Sequence, residues 1–187
     1  MNKLIRRDNV DVRVGTVHSG VAMAMAKVAK DSGTILIVPN AGADAVTGSM
    51  CGPNIFRSSF SNWQPGFAMG EVMAKKGHKS VVTITWKYAA GDESVRGFKE
   101  AFEKAGGKVT KELSLPFPNV EFQALLTEIA AAKPDAAYTF FAGGAFTLGK
   151  THNAVQDIYL RQVSGKENKV VSIASKALAD PGRGCRM

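Results

Sequence analysis

Hydrophobic and polar positions fall into blocks along residues 10–141, and the period of those blocks switches between strand-like and helix-like. VDVRVG (10–15) and ILIV (35–38) are short apolar runs, the pattern of strands buried on both faces. Between them Ser19 and Gly20 open an Ala- and Met-rich helix that runs to about Ser32, with Gly33 as its stop. Residues 44–59 carry Cys51-Gly52-Pro53-Asn54 and read as a connector, with 55–60 as a short extended segment. Ser61 or Asn62 can cap a helix containing Phe67, Met69, Val72 and Met73 that stops at Gly77. SVVTIT (80–85) is a β-branched strand, 86–91 a loop, and Asp92 the expected cap of a helix with Val95, Phe98 and Phe102 on one face. A strand over 109–115 ends at Pro116 and Pro118. Phe122, Leu125, Leu126 and Ile129 then mark a helix face, followed by a strand over 136–141 and a tight Ala142-Gly143-Gly144-Ala145 loop. The alternation predicts an α/β fold with a Rossmann-like, doubly wound parallel sheet flanked by helices.

The pattern changes after Ala145. DIYLRQV (157–163) and KVVSIA (169–174) flank SGKEN and predict an antiparallel hairpin, with an irregular tail beyond it.

In open parallel sheets ligands bind at the carboxyl ends of the strands, and four loops occupy that edge: 16–20, 39–44, 86–91 and 142–145. His18, Ser19 and Gly20 stand at a helix start, where free N–H groups and the helix dipole favour an anion. With Asn40, Ala41 and Gly42 they form one expected wall of a cleft for a small carboxylate. Trp86 and Tyr88 can pack on an apolar or aromatic ligand body, or simply fill a strand end. Replacing Trp86 by alanine is accordingly expected to change ligand preference more than stability.

Catalytic patterns are missing from the sequence. GTVHSG is not a GxSxG elbow, no GxGxxG follows a strand, and SGKEN lacks the Walker Ser/Thr. His18 and Ser19 are neighbours in sequence, which does not make a nucleophile–base pair, and Asp92-Glu93 suit a helix start better than acid–base work. The chain therefore reads as a binder, not an enzyme, with no cofactor.

Composition narrows the partners. The 187 residues are 45 % hydrophobic and 21 % charged, an ordinary globular balance. The net charge is +8, yet the cations sit mainly on polar helix faces and at the ends, with no basic run interleaved with aromatics, so nucleic acid is not an expected partner. No apolar run is long enough to span a membrane. MNKLIRR is basic but no apolar segment follows it, so no export signal is expected within the chain. Cys51 and Cys185 form no CxxC and have no His at ligand spacing, which argues against a metal site; one disulfide and two free thiols both remain open.

Four stretches carry a family resemblance: VDVRVGTVHSGVAMAMAKVAKDSGTILIVPNAGADAVTG, CGPNIFRSSFSNWQPG, TWKYAAGDESVRGFKEAFEKAGG and FPNVEFQALLTEIAAAKPDAAYTFFAGG. Together they resemble the substrate-binding proteins of ABC importers, of the Leu/Ile/Val-binding type. The resemblance implies two Rossmann-like lobes closing on a ligand such as a branched-chain amino acid or another aliphatic or aromatic carboxylate. It further implies a periplasmic location and an ABC permease as partner. The Ser19 hydroxyl and the N–H of Gly20 or Val21 would hold the carboxylate, and backbone at Asn40, Ala41 and Gly42 the polar end. The loop from Trp86 through Tyr88 to Ala90 and the turn at Gly143 would come from the second lobe. Against the family pattern the chain looks shortened. Residues 1–47 match part of the first lobe, 48–145 the second lobe, and 146–187 the terminal hairpin and tail, with the opening βαβ unit and a middle section absent. Arg13 interrupts an apolar strand, and a charge there needs a partner or an exposed edge. Exposed sheet edges would favour association. A sensing domain of the same fold in a receptor or regulator is the alternative, and a Rossmann-like enzyme a third.

Overall fold

The computed structural model describes residues 1–117 and 121–141 in full, and 155–164 and 167–179 as strands. Its elements are α1 (Asn2–Arg6), β1 (Val12–Val14), α2 (Ser19–Ser32), β2 (Ile35–Val38), α3 (Asp44–Thr47) and β3 (Ile55–Arg57). They continue with α4 (Trp63–Lys75), β4 (Ser80–Lys87), α5 (Ala89–Lys104), β5 (Lys108–Pro116), α6 (Gln123–Ala132) and β6 (Ala136–Phe140). Strands β7 (Val155–Ser164) and β8 (Glu167–Ala179) pair in a two-stranded sheet, where the sequence predicted a hairpin. The main strands pair in parallel with helices against them, which is the expected fold class.

The chain divides into two compact units, Met1–Asn62 with Lys150–Gln156 and Ala179–Met187, and Trp63–Gly149 with Asp157–Leu178. The three residues of β3 pair in parallel with Leu36–Val38 of β2 and so tie the connector to the first sheet.

In the first unit the sheet order is β1-β2-β3. Ala22, Ala26 and Ala29 of α2 are wholly buried and pack with Leu36, Val38 and Ile55. The small alanines let the helix lie close to the strands. Gly33 ends α2 in the left-handed region at φ 73°, a conformation glycine adopts without strain. Asn54 donates its side-chain amide to the Ala29 and Thr34 carbonyls, both at 2.8 Å, and so joins the end of α2 to β2 and β3. Residues 2–6 are helical, and 44–47 form a single helical turn within the expected connector.

In the second unit β4 lies between β5 and β6 and buries six consecutive residues from Val81 to Trp86. One face carries Val81 and Tyr138 against Phe98 and Phe102 of α5. Phe98 stacks on Tyr138 with centroids 4.4 Å apart and planes 8° from parallel. The other face carries Val82, Ile84 and Leu113 against Phe122, Leu125 and Ile129, while Leu126, expected on the same face of α6, is exposed. Asp135 accepts the Lys79 and Ser80 N–H groups at 2.7 and 2.9 Å, which fixes the entry of β4 beside β6 and holds the carboxyl below its usual range.

Tyr138 and Ser94 share a buried hydroxyl–hydroxyl hydrogen bond of 2.5 Å. Burial pushes the phenol up from 10.0 to about 12, with the Ser94 bond acting the other way. The folded state thus favours the protonated phenol. Its contribution to stability is complete below the unfolded value of about 10 and is lost as pH rises from there through the folded value. Unfolding monitored by circular dichroism should therefore show stability falling across that alkaline window. Tyr138→Phe should flatten the fall, and an unchanged slope would contradict the assignment.

Candidate functional site

The candidate residues of the first unit sit in loops after parallel strands. Ala41 N–H donates to the Thr16 carbonyl at 2.9 Å, and Ser58 N–H to Val38 at 3.1 Å, so the loops after β1, β2 and β3 are stitched edge to edge. Ser59 Oγ donates to the Asn40 carbonyl at 3.2 Å. Arg57, largely buried, donates to the Ala43 carbonyl at 2.7 Å and to Thr47 Oγ1 at 2.5 Å, holding the loop that carries Asn40–Gly42.

Asn62 joins the two halves of the predicted wall. Its backbone N–H donates to the Gly42 carbonyl at 2.7 Å, and its side-chain Nδ2 donates to Ser19 Oγ at 3.1 Å. Ser19 and Gly42 therefore lie on the same side of the sheet. Gly42 has no room for a side chain, because a Cβ there would run into the Asn62 side-chain amide. Asn62 directly precedes α4, where the sequence expects Ser61 or Asn62 as a cap, and its side-chain amide reaches Ser19 at the start of α2. The signal for it is the SFSN run, whose asparagine is buried although it follows a connector.

The helix mouth differs from expectation in one respect. His18 is the N-cap of α2, and its Nδ1 accepts the Gly20 N–H at 3.1 Å. The Gly20 N–H is thus taken by the protein, while Ala22 N–H donates to the His18 carbonyl. The Val21 N–H has no protein partner among the described residues. Ser19 is only 3 % exposed. Because the Asn62 amide nitrogen can only donate, Ser19 Oγ is the acceptor in their bond, and its own proton stays available. His18 cannot act as a base on Ser19 through Nδ1, which is occupied.

The second unit gathers aromatic side chains at the ends of its strands. Trp86 belongs to β4, not to a loop, since the strand continues to Lys87. It is 5 % exposed and meets Phe117 and Phe141 edge-on, with centroids 5.0 and 5.3 Å away. Tyr88 is half-buried and lies 5.3 Å from Phe117, which is itself exposed. Burial, and then the Glu93 carboxylate, raise the Tyr88 phenol above its ordinary value, so it stays a neutral donor. Helix α5 begins three residues before the expected Asp92, with Tyr88 as its N-cap, which places Ala90 buried in the first turn and Asp92 inside the helix. Ala90 can offer only backbone. Gly143 lies outside the described residues. Phe117 was not singled out in the sequence, where it sits between two prolines.

The second unit also holds a cavity of about 480 Å³ lined by Thr83, Asp92, Arg96, Lys99, Glu100 and Ser114 among others; none of the predicted ligand residues lines it.

Over residues 1–151 the sequence matches the family described as periplasmic binding protein. The chain belongs to that family. A solute-binding protein of an R. palustris ABC transporter, in complex with benzoate, is similar over all of this chain and 83 % of its own, with a TM-score of 0.88 and 32 % identity. A second solute-binding protein, from Rhodopseudomonas palustris BisB5 in complex with 3,4-dihydroxy benzoic acid, has a TM-score of 0.69 and 35 % identity over 75 % of this chain and 38 % of that one. The Leu/Ile/Val-binding protein homolog 6 of Brucella melitensis is 26 % identical over 147 residues, covering 79 % of this chain. The chain spans 37 % of that relative's length. As a periplasmic binding protein the chain has no described helix long and apolar enough to cross a membrane. Cys51 is disulfide-bonded, and the other cysteine of the sequence, Cys185, lies outside the described residues.

Proposed function

We propose that this chain serves as a solute-binding component of an ABC importer, taking up a small carboxylate and passing it on unchanged to a permease. The observation that carries the reading is the Ser19 hydroxyl, pinned by the Asn62 amide with its proton free at the start of α2, beside the unpartnered Val21 N–H. A hydroxyl and a helix N-terminus together suit a carboxylate. Within the second unit, Tyr88 and Phe117 form a separate aromatic surface. The occupied His18 Nδ1 argues against a serine nucleophile, and the disulfide at Cys51 fits the oxidising periplasm.

Between ligand classes, the aromatic monocarboxylate is favoured. The benzoate-type ligands of the two structural relatives support that choice. The names of the Brucella relatives support the amino-acid reading.

Calorimetric titration of benzoate and leucine tests both. Benzoate is expected to bind more tightly, and Ser19→Ala to weaken it by about 1–3 kcal/mol, the scale of a charge-assisted hydrogen bond. Equal affinity of the variant would remove Ser19 from the site, and conversion of the ligand would remove the importer reading.

A further inference from the structure

We propose that Asn62 is the specificity-determining residue of the Ser19 site: its amide fixes the direction of the Ser19 hydroxyl and so selects an anionic ligand over its neutral counterpart. The inference rests on the carboxylate reading above and deepens it. Asn62 is a positioning residue here, acting through Ser19. Ser19, Gly42 and Asn62 all belong to the first unit, and bonds and contacts among them carry the proposal.

A hydroxyl has one proton and two lone pairs, so it can serve a carboxylate only while no other group takes that proton. Asn62 Nδ2 stands 3.1 Å from Ser19 Oγ, and both residues are buried. An amide nitrogen only donates, so it occupies a lone pair of Ser19 and leaves the proton for another acceptor. A carboxylate at position 62 would reverse the bond. It would draw the Ser19 proton to itself, turn a lone pair toward the ligand and add a second negative charge. Aspartate has nearly the shape of asparagine, so a single atom sets the polarity of the site.

The surroundings hold that atom in place. The Asn62 N–H donates to the Gly42 carbonyl at 2.7 Å, which anchors the backbone. Asn62 Oδ1 lies against Gly42, where a Cβ would collide with it, and Nδ2 is thereby directed to Ser19. Gly42 does not adopt a positive φ, so its missing side chain makes room for the amide and not for a turn. Two donors then remain at the mouth of α2, the Ser19 hydroxyl and the Val21 N–H, since His18 takes the Gly20 N–H. Two carboxylate oxygens match two donors. A primary amide brings one acceptor and sets its own NH2 against the other donor.

The test is calorimetric titration of benzoate and benzamide against the unaltered chain and its variants. The unaltered chain is expected to bind benzoate at least about ten-fold more tightly than benzamide, a difference of about 1.4 kcal/mol. Asn62→Asp should weaken benzoate by about a hundred-fold and benzamide by less than about three-fold, which abolishes or reverses the preference. A purely structural Asn62 would instead weaken both ligands alike. Asn62→Ala places no charge in the buried position and gives a second reading that does not depend on the Asp variant folding. It should weaken benzoate several-fold in the unaltered chain and have no further effect in a Ser19→Ala background, because it acts through that hydroxyl. Equal weakening of both ligands by Asn62→Asp, or additive losses in the Ser19→Ala background, would overturn this inference while leaving the carboxylate reading in place. Failure of the unaltered chain to bind benzoate would overturn that reading and this inference with it.

Discussion

Gly66→Ala is expected to destabilise the second unit, although alanine is the better helix former. On an exposed helix the exchange would stabilise by roughly 0.5–1 kcal/mol. Here α4 and α5 cross with their backbones in contact. A Cβ at Gly66 would meet the Ser94 carbonyl, at Gly70 the Phe98 carbonyl, and at Gly97 the Trp63 carbonyl, each well inside van der Waals contact. The obstructing atoms are main chain, so no rotamer change relieves the clash and the helices must part. Separation would pull Phe98 and Phe102 from the core face and disturb the buried Ser94–Tyr138 bond. The loss should exceed the about 1–3 kcal/mol of ordinary overpacking. Urea denaturation of Gly66→Ala checks it: a midpoint well below the parent is expected, and an unchanged or higher midpoint would show that the helices are not in close contact.

Trp86→Ala is the second large effect, and the structure reverses its expected character. The sequence places Trp86 on the ligand edge, where its loss would alter preference more than stability. In the fold its ring is nearly buried between Phe117 and Phe141. Removing it should cost about 3–5 kcal/mol, the range for truncating a buried aromatic side chain. For a protein of this size that corresponds to a melting temperature lower by on the order of 10 °C. Tyr88→Ala, at a half-buried position, should by contrast spare most of the stability and weaken binding of an aromatic carboxylate. Calorimetric melting and ligand titration of the two variants separate packing from recognition. A small melting shift for Trp86→Ala would return it to the ligand surface.

These contrasts show where local pattern carries the fold and where it stops. The helix from Ser19 to Gly33 and the strands ILIV and SVVTIT are legible because each is a long or strongly periodic run with its own stop signal. β3 is not, since three residues cannot display an alternation, and its membership of the first sheet depends on pairing with β2. The glycines of α4 and α5 read as weak points within helices, and only the approach of the two backbones gives them a purpose. Asn62 shows the same limit at the candidate site. Its bond to Ser19 spans 43 positions, beyond any local motif, and a cap is the natural reading of an asparagine before a helix. The position of the loops at the strand ends was legible; which N–H groups remain free was not, because His18 folds back on Gly20. Arg13 was recognisable as a misfit in an apolar strand, and the fold sharpens the misfit by burying it.

The central claim is that Ser19, fixed by Asn62 at the mouth of α2, receives a ligand carboxylate. A crystal structure of the chain grown with benzoate tests it most directly. The account predicts a carboxylate oxygen within hydrogen-bond distance of Ser19 Oγ, with the Asn62–Ser19 bond retained. Benzoate found only away from Ser19, or a Ser19 hydroxyl turned into the protein with no ligand near it, would contradict it.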